Sequence, residues 1–423
     1  MNYSNEYKIL GVHKSRLEGV VSLAGAKNSA LRLLAASILT DEELVIDNYP
    51  AELLDAKVHV GMLELLGKKT TLLAPTSIKI SEHKQLLTTL DWKDRSIRNT
   101  LLILGALVAR FGEGRVPLPG GCKLGDRKYD LHVMLLERLG ASVWEEGEFL
   151  CAKSAGKLQG NDIYLPLRST GATENSIIAA TLAYGKTRIW NPHIRPEILD
   201  LISMLKKMGA KIQVHGQEHI EVDGVDGLFG TRHSVIPDNM EAITWLVGAV
   251  VTGGDIEILD FPLGDLEVVI AHLKAAGANL YFGNNSLIVR GGKCFPIEIS
   301  TGPHPGINSD VQPILAAWAA MARGESRIID LRFPGRYAYA EELGKMGLDY
   351  RVSGDLLEIN GKGGLLLGGC VRALDLRAGA ALALAGMAAE GETIIEDAWQ
   401  ISRGYVDFPA KVSLLGGRIR VIE

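Results

Sequence analysis

The sequence has few cysteines, and no two of them lie close together along the chain. The four cysteines, Cys122, Cys151, Cys294 and Cys370, are scattered along 423 residues without a C-x-x-C pair. This arrangement argues against a zinc site or a disulfide framework, and it fits a reducing compartment. We therefore expect a cytoplasmic protein.

Long apolar segments are also missing. No stretch of about 18 uninterrupted apolar residues occurs, so no membrane-spanning helix is expected. Residues 1–6 are polar and lack the apolar core of a signal peptide. The net charge of −5 at pH 7 gives no general attraction to nucleic acid or anionic membranes. Any polyanion site must therefore come from local clusters of arginine and lysine.

Several common catalytic signatures do not occur. We find no Ser/His/Asp arrangement, no H-E-x-x-H and no G-x-G-x-x-G after a strand. His132 and His304 lie near glycine-rich segments, but neither has a partner at metal-ligand spacing. The sequence therefore indicates no metal centre.

Glycine is abundant, and part of it is periodic. The chain has 48 glycines and 15 prolines, and a length of 423 residues favours two or three domains. Six helix-like segments end in a glycine, at intervals of 68 to 73 residues: Gly67, Gly140, Gly209, Gly277, Gly347 and Gly416. Glycine is the usual left-handed residue after a helix, so we predict six repeats.

A second helix, rich in small apolar residues, recurs between these glycines and precedes an apolar strand. Its predicted copies cover 30–39, 101–110, 177–183, 242–251, 311–321 and 378–389. Such helices are typical of buried positions. Six α/β units group most simply as two domains of three, 27–236 and 1–26 with 237–423. A cleft between the domains is the expected ligand site.

The segment Leu118–Arg127 contains three glycines, a proline and Cys122. A regular helix or strand is not expected there. Lys123 and Arg127 are close in sequence, and nearby cations favour a reactive thiolate. The alternative is a small side chain packed under a turn.

Other candidates are cations at turns and helix starts. Lys27 precedes a helix in the segment 24–29, where an anion site competes with helix capping by Asn28 or Ser29. The arginines Arg98, Arg127, Arg336, Arg377 and Arg403 each lie in a turn or at a helix start. A solvated surface arginine remains the alternative for each. Asp310 is a candidate acid or a first-turn acid of its helix.

Together these residues resemble the enolpyruvyl transferases, and within them those that act on UDP-N-acetylglucosamine. The resemblance runs from Tyr7 to the C-terminus. It rests on motifs at 25–28, 104–112, 118–122, 130–132, 171–175, 375–377 and 403–405.

The resemblance implies an α/β fold, a two-domain inside-out α/β barrel built from six βαβαββ repeats. It implies transfer of the enolpyruvyl group of phosphoenolpyruvate to the 3-hydroxyl of UDP-N-acetylglucosamine, with release of phosphate, as the first committed step of peptidoglycan synthesis. It also implies no cofactor and covalent inhibition by fosfomycin at Cys122, with the glycine-rich segment as a lid. The net charge of −5 separately leads us to expect no nucleic-acid partner.

The resemblance also implies roles for individual residues. The catalytic residues would be Cys122, Asp310, Lys27 and Arg403. The phosphoenolpyruvate-binding residues would be Lys27, Asn28, Arg127, Arg336, Arg377 and Arg403. The nucleotide-sugar-binding residues would be Asn28, Arg98, Arg127, Lys128, Tyr129, Asp130, Leu131, Leu167, Arg168, Ser169, Thr170, Asp310 and Arg332.

The chain departs from the family pattern mainly on the nucleotide-sugar side. The departures include Lys128, Tyr129, Leu167, Arg195, Asn239, Ile307, Pro334, Ser402 and Val406. Three alternatives therefore remain at this stage. They are a paralogue that uses another nucleotide acceptor, an RNA-end cyclase with similar repeats, and a nucleotide-sugar sensor. The cyclase would need a histidine nucleophile and a basic groove, and a sensor would need no proton donor.

Overall fold

A computed structural model describes residues 7–95, 97–119 and 129–422. Cys122, Arg127 and Lys128 lie outside the described residues, as does most of the glycine-rich segment that was predicted to be a lid.

The strands, in chain order, are β1 Ile9–His13, β2 Glu18–Ser22, β3 Leu44–Asp47, β4 Lys68–Ala74, β5 Ser77–Glu82, β6 Glu113–Pro117, β7 Ala141–Glu146, β8 Phe149–Ser154, β9 Asp162–Tyr164, β10 Lys186–Trp190, β11 Lys211–His215, β12 His219–Asp223, β13 Thr231–Ser234, β14 Asp255–Leu259, β15 Ala278–Phe282, β16 Ser286–Gly292, β17 Glu298–Ser300, β18 Arg323–Ile329, β19 Asp349–Ser353, β20 Leu356–Lys362, β21 Cys370–Arg372, β22 Glu392–Glu396 and β23 Arg418–Ile422.

The α-helices are α1 Lys27–Ala36, α2 Leu54–Leu66, α3 Thr100–Phe111, α4 Asp130–Arg138, α5 Thr170–Thr181, α6 Pro196–Lys207, α7 Asn239–Val251, α8 Leu263–Ala275, α9 Gln312–Met321, α10 Ala338–Gly344, α11 Leu376–Ala388 and α12 Phe408–Leu414. None of the helices in the described part of the chain reaches the length and apolarity that a bilayer crossing requires.

Within the described residues the chain divides into two units, each with three sheets. The N-terminal unit comprises Gly25–Ala51 and Asp55–Ile236; the C-terminal unit comprises the residues up to Ala24, Glu52–Leu54 and the residues from Pro237 onward. The crossings at 24/25 and 236/237 lie within two residues of the predicted domain bounds.

The sheets share one pairing scheme. Five of the six sheets in the described chain have four strands, and each combines one parallel pair with two antiparallel pairs, as in β9-β10-β12-β11. The sixth, β6-β8-β7, keeps the two antiparallel pairs and gains a parallel bridge between Thr89 and Arg115. This repetition confirms the predicted six-fold α/β architecture.

Two strands from the N-terminus complete sheets of the C-terminal unit. β1 lies between β22 and β23, with Leu10 opposite Ile395 and Val421. β2 pairs in parallel with β14. In the N-terminal unit, the late strand β13 pairs in parallel with β3. Each unit therefore recruits its missing strands from a distant part of the chain, which a period of about 70 residues alone does not reveal.

The small-residue helices are buried, as predicted. Every residue of α7 and α11 is buried, and these two helices pack with α9 in the C-terminal unit. All six glycines that end the other helices have a positive φ, between 77° and 115°. The left-handed role predicted for them is therefore confirmed.

One predicted helix begins too late. The sequence predicts a helix from 177, but α5 begins at Thr170 and ends at Thr181. The residues Thr173, Glu174, Asn175 and Ser176 are polar yet fully buried, so apolarity gives no signal for this half of the helix.

Candidate active site

Two carboxylates hold Arg336 in the C-terminal unit. Its guanidinium donates from Nη1 to Asp310 Oδ1 at 3.1 Å and from Nη2 to Asp375 Oδ2 at 3.0 Å. The side chain of Arg336 is only 8% exposed. Burial alone would lower the pKa of Arg336, but the charges of Asp310 and Asp375 outweigh it and raise the pKa. Arg336 is therefore a fixed, permanently charged group.

Asp375 links this ion pair to the start of α11. As the N-cap residue, it accepts hydrogen bonds at 2.8 Å from the backbone N–H groups of Arg377 and Ala378. One oxygen of the carboxylate thus orients the helix while the other binds Arg336. Sequence reasoning did not assign Asp375 to the site. The available signal was an acid two residues before an arginine at a helix start.

Arg377 is a buried cation over an aromatic ring. It is 1% exposed, and its Cζ lies 4.9 Å from the centroid of the Tyr405 ring. Among the described residues, neither Nε nor Nη1 of Arg377 finds a hydrogen-bond partner. The Tyr405 hydroxyl lies 2.8 Å from the Thr244 hydroxyl.

Arg403 stands next to this arrangement in sequence. Its Nη1 donates to Gln400 Oε1 at 3.1 Å. Gly404 follows, and a Cβ there would lie 2.1 Å from Leu376 Cδ1. A side chain at position 404 would therefore require Leu376 to move.

Arg332 lies on the exposed loop before Arg336. Its Cζ is 5.3 Å from the centroid of the Phe333 ring, while its backbone N–H donates to Asp330. The loop is therefore fixed through its backbone, and the Arg332 side chain reaches solvent.

In the N-terminal unit, Lys27 begins α1 and is 9% exposed. Its Nζ donates to Asp55 Oδ2 at 3.2 Å. Asn28 and Ser29 lie inside the first turn, and Ala26 is the N-cap residue, so the capping alternative is wrong for both. The Ser29 hydroxyl instead donates to the carboxylate of Asp200.

His132 lies between two helix starts that carry several of the predicted nucleotide-sugar residues. Its Nδ1 lies 3.0 Å from Asn175 Nδ2, and a Cβ on Gly171 would lie 3.2 Å from its Nε2. Burial, together with the charge of Arg98, lowers the pKa of His132 to about 3. A neutral His132 therefore joins the start of α4 to the start of α5, close to Arg98. The sequence noted this histidine but did not place it in the site.

The remaining predicted nucleotide-sugar residues surround the same helix starts. Tyr129 is the N-cap residue of α4, which begins with Asp130 and Leu131, and its hydroxyl bonds to Glu145. Ser169 caps α5 through the N–H of Ala172. The Thr170 hydroxyl lies 2.8 Å from His193 Nδ1, Arg168 Nε donates to Asn191, and Leu167 is 41% exposed.

The comparisons with known proteins agree on one family. The family described as EPSP synthase (3-phosphoshikimate 1-carboxyvinyltransferase) matches residues 12–412. The chain belongs to this enolpyruvyl transferase family.

The similar relatives span the full length of this enolpyruvyl transferase. A UDP-N-acetylglucosamine 1-carboxyvinyltransferase 1 from Carboxydothermus hydrogenoformans is 41% identical over 419 residues, covering 99% of this chain and 98% of the relative. A UDP-N-acetylglucosamine 1-carboxyvinyltransferase from Finegoldia magna is 37% identical over 421 residues, covering 98% and 99%.

Solved structures of the family share the fold. The enolpyruvyl transferase NikO from Streptomyces tendae superposes with a TM-score of 0.88 at 23% identity, covering 98% of this chain and 99% of NikO. An EPSP synthase from Acinetobacter baumannii gives a TM-score of 0.77 at 18% identity, covering 98% of this chain and all of the other. The predicted two-domain α/β fold is thereby confirmed.

Arg195, a departure from the family pattern, forms an ion pair with Glu197 of the same chain. It bonds to both carboxylate oxygens of Glu197, at 2.7 and 2.8 Å, and its side chain is 11% exposed. Burial opposes the charge of Glu197, but Arg195 lowers the pKa of that carboxyl. Arg195 thus serves an internal ion pair at the start of α6.

A histidine cluster outside these residues has the composition of a metal site but not its geometry. Ligand atoms of His215, His219 and Glu221 lie within 4.8 Å of one another. However, the two imidazoles stack at 4.3 Å with an interplanar angle of 8°, so their in-plane lone pairs run parallel. Glu221 already bonds to Lys186 and Arg188. The cluster is therefore a stacked pair of histidines beside a glutamate that is already paired with Lys186 and Arg188.

Proposed function

We propose that this enolpyruvyl transferase moves the enolpyruvyl group of phosphoenolpyruvate to the 3-hydroxyl of UDP-N-acetylglucosamine and releases phosphate. Support comes from relatives that carry this activity in their names and match at 37–41% identity over almost the whole chain. Their names do not favour the paralogue that uses another acceptor. In the cell this reaction would be the first committed step of peptidoglycan synthesis, in the cytoplasm, and both points stay predictions.

The observation that carries the proposal is the pair of buried arginines, Arg336 and Arg377. An unbonded N–H on a buried guanidinium is costly unless it binds an acceptor. Arg377 has two such groups and Arg336 has one at Nε. A guanidinium fork matches the two oxygens of a carboxylate. We assign the carboxylate of phosphoenolpyruvate to these two side chains.

The phosphate of phosphoenolpyruvate needs further cations. We assign it to Lys27, Arg127 and Arg403, following the family pattern. Lys27 is held at the start of α1, where the helix N-terminus adds a partial positive charge. Because the Lys27 ammonium bonds to Asp55 in this structure, binding of phosphate would share or replace that contact.

The chemistry is an addition followed by an elimination. Asp310 accepts the proton of the sugar hydroxyl, whose oxygen bonds to C2 of phosphoenolpyruvate, while Cys122 delivers a proton to C3. In the second step the Cys122 thiolate takes a proton back from C3, the C2–O bond to phosphate breaks, and the C2–C3 double bond of the vinyl ether forms. The surrounding cations stabilise the charge that moves onto the phosphate.

The nucleotide sugar is assigned to the starts of α4 and α5 with Asn28, Arg98 and Arg332. His132 is neutral because burial and Arg98 lower its pKa to about 3, so it orients these helix starts without adding charge. Exposed Leu167 stands where the family pattern has a lysine, so this chain supplies cations from neighbours such as Arg168 and Lys128.

A phosphate-release assay with a panel of uridine nucleotides tests the acceptor. We expect release only when phosphoenolpyruvate and UDP-N-acetylglucosamine are both present. UDP-glucose and UDP alone serve as matched acceptors that lack the N-acetyl group or the sugar. Release with another uridine nucleotide but none with UDP-N-acetylglucosamine would support the paralogue instead.

A further inference from the structure

Asp330 is a fully buried carboxylate that the proposed chemistry does not use. It follows β18 directly and has no exposed surface. Five donors bond to its two oxygens at 2.6 to 3.0 Å: the hydroxyls of Thr301 and Ser309, the amide of Gln312, and the backbone N–H groups of Arg332 and Phe333. A buried charge is tolerated when its lone pairs are satisfied in this way.

These donors come from three separate segments. Thr301 follows β17. Ser309 lies in the short 3-10 turn before α9, and Gln312 is the first residue of α9. Arg332 and Phe333 lie in the loop after β18. The separations from Asp330 along the chain reach 29 residues. One carboxylate therefore fixes the relative position of three segments.

Two of these segments carry the residues assigned to chemistry. Ser309 immediately precedes Asp310, whose N–H is capped by Asn308 at 3.0 Å. Gln312 Nε2 donates both to Asp330 Oδ2 at 2.8 Å and to the backbone carbonyl of Arg336 at 3.1 Å. Asp330 thus connects to Asp310 through one neighbour and to Arg336 through one amide.

We propose that Asp330 is a positioning residue that holds Asp310 and Arg336 at their 3.1 Å separation and so sets the affinity for phosphoenolpyruvate. This inference rests on the proposed function, because it assumes that Arg336 binds the carboxylate of phosphoenolpyruvate. Asp330 acts through the backbone and through Gln312, and it need not touch substrate.

The test is Asp330→Asn, which keeps the shape but replaces one accepting oxygen with an NH₂ group. That group would face donors on either side of the carboxylate. The KM for phosphoenolpyruvate should rise about tenfold or more, the equivalent of one lost hydrogen bond. The increase in Tm that phosphoenolpyruvate causes in the presence of UDP-N-acetylglucosamine should shrink in parallel.

Glu342→Gln is the matched control. Glu342 is another carboxylate of the C-terminal unit, 8% exposed, and it accepts from the backbone N–H of Arg372 at 2.9 Å and from Lys345. Its loss should lower Tm but leave the KM for phosphoenolpyruvate within about twofold of wild type, because its partners lie outside the segments that Asp330 joins.

A purely structural Asp330 predicts a different result. Asp330→Asn would then have a lower Tm and a smaller active fraction, with an unchanged KM for phosphoenolpyruvate, and this outcome would overturn the proposal. If Asp330→Asn does not fold, Ser309→Ala removes one donor and should raise the same KM by a smaller factor; an unchanged KM there also counts against the proposal. Failure of the wild-type protein to turn over substrates would contradict the proposed function instead, and the ligand-induced shift in Tm still compares variants in that case.

Discussion

Asp310 and Arg336 form an ion pair, with 3.1 Å between Asp310 Oδ1 and Arg336 Nη1. The acid assigned to the sugar hydroxyl therefore touches the arginine assigned to the carboxylate of phosphoenolpyruvate. Asp375 holds the other end of the guanidinium at 3.0 Å, so phosphoenolpyruvate would bind Arg336 at Nε, which has no hydrogen-bond partner among the described residues. On these assignments, both substrates would lie against the ion pair of Asp310 and Arg336.

Asp310→Asn should lower kcat by about 10²–10⁴-fold, because the amide cannot accept the hydroxyl proton. Arg336 keeps an oxygen acceptor in this variant, so Tm should change little. Steady-state phosphate release measures the effect. Asp349→Asn, an exposed change on β19, is the control and should retain wild-type kcat. An Asp310→Asn enzyme with near-normal kcat would remove Asp310 from acid–base chemistry.

Arg377→Lys keeps the positive charge but loses the planar fork. We expect kcat/KM for phosphoenolpyruvate to fall by the equivalent of about 2–3 kcal/mol, because a lysine cannot bind both carboxylate oxygens in the same way. Arg403→Ala should cost a similar amount through the phosphate. Thermal unfolding of each variant separates this effect from loss of folding, and near-normal kcat/KM in a folded variant would exclude that arginine from the substrate site.

Fosfomycin should label Cys122 and no other cysteine. Burial raises the pKa of Cys294 to about 12, and burial also raises the pKa of the Cys151 thiol. Burial and Glu396 raise the pKa of exposed Cys370, so all three favour the unreactive thiol at neutral pH.

Peptide mass spectrometry of the treated protein measures the labelling. Cys122→Ser should abolish it, and Cys370→Ser, which removes the most accessible of the other thiols, should not change it. An adduct on Cys122→Ser protein would identify a different reactive thiol.

Gly105→Ala should destabilise the N-terminal unit. A Cβ at Gly105 would lie 1.8 Å from Asn175 Oδ1, so the buried Asn175 side chain, or the contact between α3 and α5, would have to shift. Overpacking of this kind costs about 1–3 kcal/mol. Gly156→Ala is the control, because a Cβ there would meet nothing within 4 Å. Equal unfolding free energies for the two variants in a denaturant titration would contradict this packing.

Acid should destabilise the protein through its buried histidines. Burial lowers the pKa of His59 to about 3, and the charge of Arg32 adds to this effect; the ordinary value is 6.5. Below about pH 6.5, His59 therefore binds a proton in the unfolded chain but not in the folded chain. The free energy of unfolding falls as the pH decreases from there toward 3.

His59→Gln should reduce the loss of unfolding free energy between pH 7 and pH 4.5, and His83→Gln, on the surface, should not. An unchanged pH dependence in His59→Gln would show that His59 is protonated in the folded state.

Local signals were sufficient for the repeats but not for the site. Gly67 and its five counterparts reveal the period because a left-handed residue after a helix is usually glycine. No local sequence pattern identifies Asp330, since its hydrogen-bond partners lie as many as 29 residues away along the chain. Arg195 is also difficult to place from sequence. A charged side chain at a helix start is expected to be exposed, but the Arg195 side chain is only 11% exposed and forms an ion pair with Glu197.

The nature of the product tests the central claim most directly. Phosphoenolpyruvate, UDP-N-acetylglucosamine and the protein are incubated together, and the product is examined by ³¹P and ¹H NMR. We predict equal amounts of inorganic phosphate and of a uridine diphosphate sugar that bears a vinyl ether on the 3-oxygen. Unchanged substrates, or phosphate without a vinyl ether on the sugar, would contradict enolpyruvyl transfer to this acceptor.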